Sequence, residues 1–180
     1  QLEGINAVFI DLTGWEANET LPLDQLIEKQ IGSVDVSQVL PIVTGYAHCQ
    51  ENLMNTFDRG YSEMTFSRIA VLRGASEAVI HKEYHLSSAD PRLIGECNVI
   101  PIGKTNYDIA DQLANLGMEA IHPRAAKGLR QAKIPLRIKN TFEPHHHGTL
   151  ITDDYVSEQP QVEIIAGMKN LIALEVFDQE

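Results

Sequence analysis

Arg59, Gly60, Ser62 and Glu63 stand almost side by side in "DRGYSEMTFSRIAVLRGA" (58–75), at the point where helical periodicity begins. A helix start that offers a cation, a glycine and a hydroxyl is suited to holding an anion. Its first backbone N–H groups point outward, and the positive end of the helix dipole lies beside them. Arg59 could clamp a carboxylate through two parallel hydrogen bonds. The same residues also suit an ordinary turn, with Ser62 as N-cap and Arg59 in solvent. A second constellation, Ser87-Ser88-Ala89-Asp90-Pro91-Arg92, places hydroxyls and an arginine after a β-rich run, where a ribose or phosphates could lie. Alternatively, Asp90 and Pro91 simply fix a turn. His122 precedes Pro123 and Arg124 and can cap a helix whose first turn holds the proline. Catalysis by His122 would need a partner. His145, His146 and His147 invite a metal, but adjacent side chains cannot all converge on one ion and no matching Cys or carboxylate spacing lies nearby. They read as a solvated loop.

These residues need a scaffold, and the apolar pattern supplies one. "AVFIDLTGW" (7–15), "QVLPIVTGY" (38–46), "SEAVIHKE" (76–83) and "IPLRIKNTF" (134–142) read as strands. Leu23, Leu26, Ile27 and Ile31 recur at helical spacing after Thr20 and Pro22. Met64, Ile69, Val71 and Leu72 do so before Gly74, and Ile109, Leu113 and Leu116 before Gly117. Pro123 opens a further helix. Strands alternating with helices predict an α/β fold with a mainly parallel sheet. Past the polar linker "TDDYVSEQPQ", the runs "VEIIAGM" and "LIALEVF" are again β-rich and read as the opening of a second domain.

The totals narrow the function. At 180 residues the chain suits one medium domain or a domain plus a fragment. Net charge is −11, from 14 basic and 25 acidic residues, which argues against a general nucleic-acid binder. No apolar run approaches the roughly 18 residues of a membrane span. Cys49 and Cys97 form no motif, so a reduced, cytoplasmic setting is expected. The chain starts at Gln1 and soon enters "AVFIDL", which reads as an internal piece of a longer protein.

Taken together, the segments resemble an aspartate kinase of the amino-acid kinase superfamily. "PIVTGY" (41–46) resembles that family's strand ending in V-T-G, "RGYSE" (59–63) its R-G-G-S-D, and "SSADPR" (87–92) its Y-T-A-D-P-R. The most specific match is "LGMEAIHPRAAKGLRQAKIPLRIKNTFEPHHHGTLI" (116–151), which is similar to G-A-K-V-L-H-P-R-A, I-P-L-R-V and G-T-L-I in order. The resemblance implies a three-layer αβα sandwich, here the C-terminal, nucleotide-binding half of the kinase domain over residues 1–155. The first strands of an ACT regulatory domain would occupy 156–180. Details such as "YSEMTFSRIAVL" resemble the aspartate kinases encoded with ectoine synthesis.

By that resemblance the parent transfers the γ-phosphoryl group of ATP, with Mg2+, to the side-chain carboxylate of L-aspartate. Arg59 and Ser62 would bind aspartate. Lys82, Ser87, Arg92, Glu119 and Ala120 would line the nucleotide site, and no residue of this stretch is assigned as catalytic or as a metal ligand. Several positions depart from the family pattern. Tyr61 replaces a glycine, Glu63 an aspartate, His81-Lys82 a Thr-Asp pair, and Glu119 a lysine. The two charge reversals, at Lys82 and Glu119, would compensate if the residues are neighbours. No K-F-G-G-T-S segment occurs, so the fragment alone is expected to be inactive. ACT modules pair between subunits, which implies a homo-oligomeric parent. The alternative is a non-catalytic binding or assembly domain that keeps the kinase fold. Glutamate and acetylglutamate kinases fit the H-P-R-A stretch and the ACT-like tail less well.

Overall fold

The computed structural model describes residues 4–14, 20–57, 59–115, 120–160, 162–167, 172 and 175. Its elements run β1 (Ala7–Ile10), α1 (Leu23–Ile31), β2 (Leu40–Val43), α2 (Leu53–Thr56), α3 (Tyr61–Leu72), β3 (Ala78–Lys82) and α4 (Pro91–Ile94), followed by a 3-10 turn at Glu96–Asn98. They continue as β4 (Lys104–Asn106), α5 (Tyr107–Asn115), α6 (Pro123–Gln131), β5 (Leu136–Asn140) and β6 (Thr149–Thr152). The strands form a two-stranded sheet, β1-β2, and a four-stranded sheet ordered β3-β5-β6-β4. β1 with β2, β3 with β5 and β4 with β6 pair in parallel, and among these described strands β5 with β6 is antiparallel. The expected α/β architecture with a mainly parallel sheet holds.

Each sheet has its own core. Leu23, Leu26, Ile27 and Ile31 form the apolar stripe of α1 and bury against Ile10, Leu12, Cys49, Leu53 and Phe57. The larger core collects Ala78, Leu136, Ile138 and Ile151 from the strands, Tyr107, Ala110 and Leu113 from α5, and Ala125, Ala126 and Leu129 from α6. α3 lies between the two. Ile69 and Leu72 pack on the first core, Phe66, Ala70 and Val71 on the second, and Met64 touches both. A helix with a core on either side needs apolar residues around most of its girth, and its sequence shows that. Arg68 of α3 grips Asp24 of α1 in a two-pronged ion pair at 2.6 and 2.8 Å.

Strand β5 alternates strictly, with Leu136, Ile138 and Asn140 buried and Arg137 and Lys139 on the other face. Its in-register partner places Lys82 opposite Asn140, so Lys82 ends β3 on the core-facing side. Ligand clefts in open α/β sheets form beyond the carboxyl ends of parallel strands, and the chain after Lys82 occupies such a place.

Some elements differ from the sequence expectations. Thr105 and Asn106 belong to a short strand rather than to the following helix, because Thr105 is fully buried opposite Ile151 of β6. The helix over 61–72 is capped by Gly60, not Ser62. Residues 162–167 are not a strand. They lie alongside the sheet instead, with Ile165 N–H donating to Ser88 O at 2.8 Å and Ile164 and Ala166 packed against the larger core. The last expected strand, except for residues 172 and 175, falls outside the described residues, as do Leu116 and Gly117. No helix among the described residues is long and apolar enough to cross a membrane.

Candidate active site

The start of α3 and the start of α6 are built as one unit. Gly60, the N-cap of α3, has φ +78°, a left-handed conformation that glycine adopts without penalty. A Cβ added there would lie 2.7 Å from the ring of His122, so the close approach also demands glycine. His122 is the N-cap of α6, and its Nδ1 accepts from the N–H of Arg124 at 3.3 Å. The His122 N–H donates to Oε2 of Glu63, while Oε1 of the same carboxylate accepts from Lys82 Nζ at 3.0 Å. Phe57 meets the His122 ring edge-on at 5.2 Å and lies under the Arg124 guanidinium at 5.0 Å. Glu63 thus joins three elements: α3, β3 and α6.

Arg59 is exposed immediately before Gly60. Ser62 is exposed in the first turn of α3 and faces the Thr44-Gly45 turn after β2, where a Cβ on Gly45 would come 3.0 Å from its Oγ. Ser62, Val43, Thr44 and Gly45 line an open cavity of about 380 Å³ that continues between α3 and the start of β3. Thr44 is fixed there by its hydroxyl, which accepts from Leu12 N–H and donates to Tyr46 O. Arg59 is not in this lining.

A second cleft, of about 230 Å³, opens at the carboxyl end of β3. Lys82, Ser87, Arg92 and Ala120 line it together, with Tyr84, His85 and Asp90 among the other wall residues. Ser87 is buried and its hydroxyl donates to His85 O at 3.1 Å. Asp90 caps α4 by accepting the N–H of Arg92, and its carboxylate also takes the Arg92 guanidinium at 3.1 and 2.9 Å. The Arg92 hydrogen bonds hold the Asp90 carboxyl below the ordinary carboxylate range. The Arg92 side chain is 65% exposed and, among the described residues, Asp90 is the acid that tethers its head. Glu119 lies outside the described residues. The expected compensation of Lys82 by Glu119 therefore falls outside the described residues; among those described, Lys82 pairs with Glu63.

Glu63 takes a contact that its place in the sequence constellation did not announce, and His85 and Tyr84, which the sequence did not single out, join it in this region. Glu63 occupies the third helical position, where a glutamate usually reaches back to its own N-cap; here it reaches across to another helix. That position was the available signal. His85 is half-buried, its ring 4.1 Å from that of His146 and its Nε2 3.1 Å from a Glu143 oxygen. Neither ring nitrogen of His85 has a hydrogen-bond partner among the described residues. His146 accepts Gly148 N–H through Nδ1 and is half-buried, unlike its exposed neighbours His145 and His147. The expected solvated loop is exposed at His145 and His147 and half-buried at His146. Tyr84, on the cleft wall, carried no local signal.

Comparison with known proteins adds to this geometry. Residues 2–140 match the model of the amino acid kinase family. The chain is 62% identical over 177 residues to an aspartate kinase, Ask_Ect, of Stutzerimonas stutzeri, covering 98% of this chain and 37% of that protein. It is 32% identical to an aspartokinase of Schizosaccharomyces pombe, over 86% of this chain and 31% of that one. Among solved structures, the Clostridium acetobutylicum aspartate kinase aligns with a TM-score of 0.61 at 27% identity, over 82% of this chain and 34% of that one. E. coli aspartokinase III, in complex with aspartate and ADP, shares the fold with a TM-score of 0.65 at 18% identity, over 86% and 36% of the two chains. The chain spans about a third of the length of these relatives.

Proposed function

Because the chain belongs to the amino acid kinase family, we propose that it is the nucleotide-cleft part of an aspartate kinase. The parent would transfer the γ-phosphoryl group of MgATP to the side-chain carboxylate of L-aspartate. The observation that carries this reading is the convergence of Lys82, Ser87, Arg92 and Ala120 on one cleft beyond β3, next to the glycine-capped helix start that follows Arg59. The identity to an aspartate kinase over nearly the whole chain supports it.

In this proposal Arg92 leaves Asp90 for the nucleotide phosphates, an exchange made easy by its exposure. Lys82 adds a second cation at the strand end, Ser87 and Ala120 line the cleft, and Glu119 is assigned to the nucleotide side by the family resemblance alone. A cleft of about 230 Å³ is smaller than the roughly 300–1,000 Å³ of sites that enclose a whole small-molecule ligand. It would receive one part of the nucleotide and leave the rest open to the acceptor. Arg59 and Ser62 would hold aspartate. Phosphoryl transfer depends mainly on alignment and charge neutralisation, so cations and outward-facing amides are the groups required. Among the described residues no cluster of three His, Cys, Asp or Glu is placed to hold a metal. Mg2+ would arrive on the phosphates, keeping several waters, as that ion commonly does.

The remaining assignments are proposed with it: residues 1–155 as kinase-domain sequence, 156–180 as the beginning of an ACT regulatory domain, a homo-oligomeric parent, a cytoplasmic location and a role in ectoine synthesis. Steady-state kinetics of the full-length parent test the reading. Arg59→Ala is expected to raise KM for aspartate, and Arg92→Ala KM for ATP, each by about 10- to 100-fold, the worth of a lost charged hydrogen bond. The 180-residue chain alone is expected to show no turnover. Unchanged constants in both variants would refute the reading.

A further inference from the structure

Glu63 stands between the two cavities. Its neighbour Ser62 lines the one beside the Thr44-Gly45 turn, and its ion-pair partner Lys82 lines the cleft beyond β3. One carboxylate oxygen takes Lys82 Nζ at 3.0 Å and the other takes the backbone N–H of His122. Both side chains are largely shielded, at 31% and 23% exposure, so the pair is less screened than a surface ion pair. His122 in turn packs on Gly60, directly after Arg59.

We propose that Glu63 and Lys82 are positioning residues that couple the two sites, so that nucleotide in the cleft tightens binding of the acidic acceptor beside Ser62. This rests on the kinase reading given above. The physical argument starts from donor count. An ammonium group carries three N–H donors, so Lys82 can keep Glu63 while turning its others to phosphate oxygens. Held at both ends, Lys82 pins the Glu63 carboxylate, and that carboxylate fixes the first turn of α3 and the first turn of α6. A ligand that has already ordered this junction spares the second ligand part of the ordering cost, which is positive cooperativity. A carboxylate at position 82 could not play this part, since it would repel both Glu63 and phosphate. No bond is made or broken in this step.

The test is calorimetric, on the full-length parent. The Kd for L-aspartate is measured with and without a saturating non-hydrolysable MgATP analogue, and the ratio of the two values is the coupling factor. Wild type is expected to show a factor of ~5 or more, the lower end of ordinary allosteric coupling. Lys82→Met is expected to bring it to ~1, and Lys82→Arg, which keeps the donors, to retain most of it. Glu63→Gln still offers an oxygen to His122 N–H but no charge to Lys82, and is expected to lower the factor as well. A purely structural role would shift both Kd values and leave the ratio alone. A wild-type factor near 1, or one unchanged in Lys82→Met and Glu63→Gln, overturns the coupling while leaving the kinase reading intact. A parent that binds neither ligand overturns both.

Discussion

Gly60 is tested more simply than any charged residue, because two independent constraints act on its one missing methyl group. A side chain there would have to adopt φ +78° and enter the space of the His122 ring. Left-handed backbone costs a non-glycine residue about 1–2 kcal/mol, and forced overpacking adds about 1–3 kcal/mol. Gly60→Ala is expected to lower stability by roughly 2–5 kcal/mol in urea unfolding, with Gly103→Ala, which meets nothing within 4 Å, as the mild control. The thiols separate just as cleanly. Burial, then the nearby Glu51, pushes the Cys49 thiol up to about 11, whereas Cys97 is exposed. At pH ~8 an alkylating reagent is expected to modify Cys97 quickly and Cys49 only after unfolding, as read by peptide mass spectrometry, since the thiolate is the reactive form. Residue chemistry was legible in sequence where a local rule governs it. Pro123 after His122 announced a helix cap, whereas Asp90-Pro91, read as a turn, opens the one-turn helix α4 with Asp90 as its cap. The Glu63–His122 bond was not, because it joins positions 59 residues apart and no spacing rule reaches that far.

Element identity was readable for the helices with a single apolar stripe. Leu23, Leu26, Ile27 and Ile31 of α1, and Ile109 and Leu113 of α5, recur at helical spacing, so periodicity marks those helices, while Pro123 marks the start of α6. β4 was missed because three residues are too few for an alternation, and β6 because its four residues show it only once paired to β5 and β4. The helices bear the load in the larger core. Leu129 of α6 is fully buried there, and Leu129→Ala is expected to cost about 2–5 kcal/mol, as large-to-small core changes do. Leu93 of α4 is 67% exposed, and its replacement by alanine should fall within about 0.5 kcal/mol, as surface changes do. Matched denaturation curves would decide. Equal losses at both positions would mean that α6 does not carry the core as described.

Over the molecule as a whole, the apolar surface is uneven. Phe9 is 69% exposed, and Leu40 and Ile42 each 49%, on the paired strands β1 and β2. A two-stranded sheet cannot cover its own faces, and contiguous exposed apolar side chains favour association. The 180-residue chain is therefore expected to self-associate at high concentration, and Phe9→Ser to reduce that association without lowering the unfolding midpoint, as sedimentation velocity would show. The fold class was legible at this scale because alternating elements constrain topology strongly, whereas the division into two cores was not, since no linker separates them. The antiparallel β5–β6 pair carries a last consequence. Gly148, with φ +73° and no room for a Cβ beside Ile138 O, closes the short connection between these strands. That makes β5–β6 the one strand pairing in the larger sheet that needs no long crossover. Loop-closure entropy favours such a hairpin forming early, so β3 and β4 would add to a template already standing, one on each flank.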